Sequence, residues 1–142
     1  MFQAQSQMKS KIYDLMYPLI NDGSGTYELG DLNAYIDKII EKGCLISIME
    51  NDVLLAFLAY YANDYENKLA FLSMAVVSPS TRKMGYGRRL VDFCFVDLIY
   101  KGFKRCLTEV NANNLAALNA CKKLGFNELE RKGPYIILEK LL

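Results

Sequence analysis

Apolar residues along this chain follow two rhythms. From Ser6 to Leu19, Met8, Ile12, Leu15, Met16 and Leu19 fall three or four apart, which predicts an amphipathic helix. Asn21 to Gly25 is a turn cluster. Leu32, Tyr35, Ile36, Ile39 and Ile40 repeat the helical spacing, and Gly43 supplies a stop. Two short apolar runs follow, Cys44–Met49 and Val53–Ala62, divided by Glu50, Asn51 and Asp52; this pattern predicts a hairpin. Leu69–Val77 reads as a third strand, ended by Ser78 and Pro79.

The second half changes rhythm. Gly85–Lys101 is apolar on nearly all sides and long enough for a buried helix. Arg105–Val110 predicts a strand, Leu115–Leu124 a short helix stopped at Gly125, and Phe126–Glu130 with Tyr135–Leu141 a final strand pair. The order is helix, helix, three strands, helix, strand, helix, two strands. Such an order predicts an α/β protein, a mixed sheet flanked by helices on both faces.

At 142 residues the chain has room for one domain, and 52% hydrophobic residues supply a core without disulfides or metal. The composition contains no His. Ser-His-Asp and Cys-His nucleophile pairs, His-ligated metals and a His general base are therefore excluded. Proton transfer falls to carboxylates, Tyr, Lys, Cys or water.

Cys44, Cys94, Cys106 and Cys121 form no C-x-x-C pair, and the opening residues do not resemble a secretory leader. The apolar stretch Val53–Ala62 is shorter than the ~20 residues of a membrane helix. A reduced, cytoplasmic protein is expected.

Charge divides along the chain. Residues 1–70 hold five Lys against ten acids, a net of −5, whereas residues 71–142 hold twelve Lys and Arg against six acids, a net of +6. An anion suits the second half, and a cationic or neutral group the first. The near-neutral total does not suit a nucleic-acid binder, and no membrane partner is expected.

The segment Val77-Ser-Pro-Ser-Thr-Arg-Lys-Met-Gly-Tyr-Gly87 leads from a strand into a long helix. Gly85 and Gly87 allow a tight turn and close backbone approach, and free N–H groups at a helix start bind phosphate oxygens. Arg82, Lys83, Arg88 and Arg89 add positive charge. The run lacks the Lys-Ser/Thr ending of a P-loop, and Leu90 stands where a dinucleotide fingerprint has its third Gly.

Arg82-x-x-Gly85-x-Gly87, with Val77-x-Pro79 before it, resembles the R/Q-x-x-G-x-G/A signature of the GNAT N-acetyltransferase superfamily. Glu109-Val110 through Asn114, then Ala117-Leu118 and Leu124-Gly125-Phe126, resemble that family's second signature. The resemblance covers about residues 45–142. It implies a GNAT-like splayed sheet with an acetyl-CoA-binding core at 45–142 and a helical acceptor side at 1–44, together one domain over 1–142.

By the resemblance, Lys83, Met84, Gly85, Tyr86, Gly87 and Arg88 cradle the coenzyme A pyrophosphate, with Arg82 beside them. Ala75, Val76 and Val77 pair with the pantetheine arm as with an added strand. Asn114 contacts the arm, although it equally suits an N-cap. Glu109 matches a general-base position. Cys121 stands where the family often has a Tyr that protonates the departing thiolate; its spacing with Leu118 and Leu124 also suits core packing. Tyr86 and Tyr135 are other proton donors to consider.

Tyr27, Glu28, Asp31, Tyr60, Tyr61 and Tyr65 are candidate acceptor lining. The implied activity is acetyl-CoA-dependent transfer to a primary amine, on a small molecule or peptide. A non-catalytic acyl-CoA-binding or regulatory module is the alternative, and a homodimer is compatible with either.

Overall fold

The structure, a computed structural model, describes residues 2–23 and 29–142. Helix α1 (Phe2–Ile20) begins one turn before the periodicity starts, and α2 spans Leu32–Lys42. Asp31 caps α2 by accepting from the Ala34 N–H at 3.1 Å, and the Gly43 N–H closes the other end on the Ile39 carbonyl at 3.0 Å.

Strands β1 (Cys44–Glu50) and β2 (Val53–Asp64) are joined at Asn51 and Asp52, both at positive φ, the geometry of a two-residue hairpin turn. Lys11 of α1 anchors that turn, with its Nζ 3.2 Å from the Asp52 carboxylate. Strand β3 (Leu69–Val77), helix α3 (Tyr86–Tyr100), strand β4 (Arg105–Asn111), helix α4 (Leu115–Lys123) and strands β5 (Asn127–Lys132) and β6 (Tyr135–Leu141) complete the order expected from the sequence.

The six strands form one sheet, ordered β1-β2-β3-β4-β6-β5. All neighbours are antiparallel except β3 and β4, which α3 connects as a crossover. Helices cover both faces. Ile12, Met16, Ile36 and Ile39 of α1 and α2 pack on Leu54, Phe57, Ala59 and Val76. On the reverse face, Leu90, Val91, Cys94 and Leu98 of α3 and Leu118 of α4 pack on Leu58, Leu72, Cys106 and Leu138.

Two of the sheet's register irregularities set the faces on either side of the β2–β3 centre. Ile48 pairs with Ala56 and Met49 with Leu54, so Leu55 is an extra residue in β2. Ala59 pairs with Met74 and Tyr60 with Leu72, which leaves Ser73 extra in β3. Each added residue exchanges the faces for everything beyond it. Leu72 therefore packs toward α3, whereas both Ser73 and Met74 turn toward α2.

Helix α3 departs from the buried helix expected. One side is buried, but Phe93, Val96 and Ile99 are 66%, 67% and 57% exposed, because only one flank meets the sheet.

Candidate active site

The site starts from where β3 and β4 part. Their parallel pairing runs from Leu69 and Arg105 to Leu72 and Thr108, and stops there. The extra residue Ser73 bends β3 at that point. Beyond it, Ala75, Val76 and Val77 pair with Leu58, Phe57 and Ala56 on one side only, and Glu109, Val110 and Asn111 pair only with β6. The sheet thus splays into a gap whose two edges carry unused main-chain groups. At the closed end, the buried Thr108 hydroxyl donates to the Leu72 carbonyl at 3.0 Å.

The open end of the gap faces the glycine turn. After a short 3₁₀ turn at Pro79–Thr81, Lys83 and Gly85 take φ of 71° and 78°, and α3 begins at Tyr86. The Arg89 N–H donates to the Gly85 carbonyl at 3.1 Å, the first bond of that helix start. Among the described residues, the backbone N–H groups from Lys83 through Arg88 have no partner. These amides and the helix dipole form an anion cradle.

A Cβ at Gly85 would meet nothing within 4 Å but would sit in the left-handed region. One at Gly87 would lie 3.8 Å from Val77 Cγ2, between the helix start and the end of β3. Of the four basic residues expected here, Arg88 is engaged by Asp92 at 3.2 Å and Arg89 lies 5.7 Å from the Tyr86 ring centroid. Arg82 and Lys83 form no ion pair among the described residues.

Glu109 is exposed and is the first residue of β4 beyond the last pair with β3, on the face of Leu107. Asn114 caps α4, its Oδ1 accepting from the Ala117 N–H at 3.1 Å; its side-chain nitrogen donates to no other described residue. Cys121 packs beside the α3-side core, and burial pushes its thiol up. Tyr135 sits at the start of β6 opposite Asn111.

The candidate acceptor residues scatter. Tyr60 faces α3, where its hydroxyl donates to Asp97, and it does not line an acceptor site; the face parity set by Leu55 sends it there. Tyr65 is an exposed ring against Phe103, with centroids 5.1 Å apart, and Asp31 is the α2 cap. Tyr27 and Glu28 lie outside the described residues. Tyr61 is at a concave surface. It lines two adjoining depressions on the α2 face of the sheet that also share Asn63 and Phe71.

Ser73 and Tyr35 carry no site signal in the sequence, where Tyr35 is only one member of a helical stripe. Ser73 joins the wall of the larger depression to the closed end of the gap, and its hydroxyl bonds the Tyr35 hydroxyl at 2.8 Å. Burial, partly offset by that bond, pushes the Tyr35 phenol up to about 12. Thr108 was legible as a polar residue between Cys106 and Val110, where alternation calls for an apolar one.

A model of the acetyltransferase (GNAT) family matches residues 11–126, and the chain belongs to that family. Its fold is that of solved acetyltransferases. A GNAT acetyltransferase from Staphylococcus aureus Mu50 superposes with a TM-score of 0.80 at 13% identity, covering 94% of this chain and 92% of that one. The ribosomal-protein-S18-alanine N-acetyltransferase of Escherichia coli gives 0.75 at 20% identity, over 94% and 86%. The PaiA N-acetyltransferase of Thermoplasma acidophilum, in complex with coenzyme A, gives 0.75 at 14% identity, over 99% and 94%. No curated protein sequence matches the chain.

Proposed function

We propose that the protein is an acetyl-CoA-dependent N-acetyltransferase acting on a primary amine. The observation that carries this reading is the gap between β3 and β4, opening onto the unused amides of Lys83–Arg88. The residues present fit the cofactor: a one-sided strand edge at Ala75–Val77 for an amide-bearing arm, and a glycine turn with Arg82 and Lys83 for its pyrophosphate. The coenzyme A complex of the Thermoplasma relative supports the same ligand.

Acetyl-CoA supplies the acyl group as a thioester: the amine nitrogen bonds the carbonyl carbon, the carbon–sulfur bond breaks, the amine loses one proton and the departing sulfur gains one. The chain's part is to hold the arm straight in the gap, so that the reacting atoms meet at its closed end beside Ser73 and Thr108. Glu109, exposed and the first residue of the gap's β4 edge, takes the amine proton directly or through water. For the sulfur, Cys121, Tyr86, Tyr135 and water are the donors in question; the packed, up-shifted thiol of Cys121 favours water. The side-chain nitrogen of Asn114 is left to hold the arm while its oxygen caps α4. Four free cysteines suit a reducing, cytoplasmic setting.

The test is release of free thiol from acetyl-CoA across a panel of amines, with the acetylated product identified by mass. A binding module without chemistry is the second reading, favoured by Cys121 in the place of the family's Tyr. Cofactor-dependent stabilisation without turnover on any amine decides for it.

A further inference from the structure

The charge sum of residues 1–70 does not describe the lining of the larger depression, which holds Lys38 and Lys42 and no acid. Three acids of that half are engaged away from the larger depression: Asp31 caps α2, Asp37 pairs with Lys9 at 2.7 Å and Asp52 with Lys11 at 3.2 Å; Asp64, which accepts from the Asn67 N–H at 3.1 Å, lines only the smaller adjoining depression. The larger depression, of about 400 Å³, is walled instead by Lys38 and Lys42 over an aromatic floor of Tyr35, Tyr61 and Phe71, with Ser73 at one end. Lys38 Nζ lies 5.6 Å from the Tyr61 ring centroid. Neither lysine forms an ion pair among the described residues, and the acids of α2, Asp37 and Glu41, are not among the walls.

These lysines are too far away to serve the cofactor's phosphates. The glycine turn follows Val77, and at ~3.3 Å per residue Phe71 lies about 20 Å back along β3. Ser73, in contrast, stands at the closed end of the gap, where the acyl group must be presented. With a helical rise of ~1.5 Å per residue, Lys38 and Lys42 lie about 4.5 Å and 10.5 Å along α2 from Tyr35, the hydroxyl partner of Ser73.

We infer that the acceptor is a primary amine with an apolar or aromatic body and an oxyanion, carboxylate or phosphate, about 5–10 Å from the nitrogen. Lys38 and Lys42 read the oxyanion, Phe71 and Tyr61 carry the body, and the amine reaches the gap beside Ser73. This inference rests on the acetyltransferase reading for its reaction, but the binding it claims is separately measurable.

The probes are 4-(aminomethyl)benzoate, 4-(aminomethyl)phenylphosphonate and the neutral 4-(aminomethyl)benzamide. Their binding to the full chain is measured by calorimetry at low salt, with and without coenzyme A. At least one anion is expected to bind about tenfold tighter than the amide, with the advantage shrinking as salt is added; the two anions tell carboxylate from phosphate. Lys38→Gln with Lys42→Gln brings the ratio within about twofold, and Lys38→Arg with Lys42→Arg restores it. Both side chains are exposed, so these variants keep the fold. Equal binding of anion and amide, no binding of any probe, or a preference that survives loss of both lysines overturns the inference. Thiol release with the same amines separates the two readings: preference without turnover removes acetyl transfer and leaves the binding of an anionic amine at Lys38 and Lys42, and turnover without preference does the reverse.

Discussion

Replacing Gly85 and Gly87 by alanine, one at a time, separates backbone strain from ligand contact in the anion cradle. Gly85 has φ +78° and open space where a Cβ would go, so Gly85→Ala places an L-residue in the left-handed region at a cost of about 1–2 kcal/mol. In a domain of this size that lowers the melting temperature of the free protein by about 3–8 °C. Gly87 lies in the first turn of α3, and its new methyl would meet only Val77 Cγ2 at 3.8 Å. Gly87→Ala should leave the free protein as stable as the parent or raise it by about 0.4–1 kcal/mol, since the unfolded chain loses freedom.

The response to ligand singles out Gly87. Acetyl-CoA at 100 times its dissociation constant stabilises the parent by about 2.7 kcal/mol. A methyl standing between the helix start and β3 opposes the pyrophosphate by about 2 kcal/mol, the scale of an overpacked contact, and weakens binding about thirtyfold. At the same ligand concentration the gain falls to about 0.9 kcal/mol. Thermal denaturation of parent and variants, with and without acetyl-CoA, reads all four quantities. A full cofactor-dependent shift in Gly87→Ala shows that the pyrophosphate does not lie at this turn, and no shift in the parent refutes the cofactor itself.

Glu109→Gln is expected to lower kcat by about 10²–10⁴-fold, the range of a lost general base, while Cys121→Ala stays within a few-fold. A hundredfold drop for Cys121→Ala beside an unaffected Glu109→Gln reverses both roles. On the other side of the sheet, burial pushes the Asp97 carboxyl up, but the Tyr60 hydroxyl and the Lys101 ammonium, 2.9 Å away, more than offset it and hold it below its ordinary value. A depressed carboxyl stabilises the fold above its unfolded value and loses that contribution as pH falls through the folded one. Tyr60→Phe should therefore cost about 1.5–3 kcal/mol in urea denaturation at neutral pH, and less once the carboxylate is protonated. An equal deficit at both pH values shows that the loss is packing rather than the bond to the carboxylate.

Much of the site was legible because it is local. The glycine turn declares itself through Gly85 and Gly87 between a strand end and a long apolar helix, and Asn114 through its place just before Leu115. The tyrosines were not legible. Tyr60 and Tyr61 are neighbours that point to opposite faces, and alternation alone cannot say which face holds the acceptor. Tyr35 and Ser73 are 38 residues apart and meet only because β3 carries one residue more than its partner.

The sequence by itself determined the elements and their order, since period and turn residues act over a few positions and bury one stripe of each helix or strand. It also determined the anion cradle, which needs only a turn, a helix start and nearby cations. Tertiary structure decided the gap between β3 and β4 and the charge lining the larger depression. Pairing stops at Leu72 and Thr108 because the register beside Ser73 is set jointly by two strands, which no single segment encodes. The net charge of the first 70 residues does not predict the lining of the larger depression for the same reason. Side-chain ions act over a Debye length of about 8–10 Å, and folding places Lys38 and Lys42 over the depression while ion pairs, a helix cap and a turn hold Asp37, Asp52, Asp31 and Asp64.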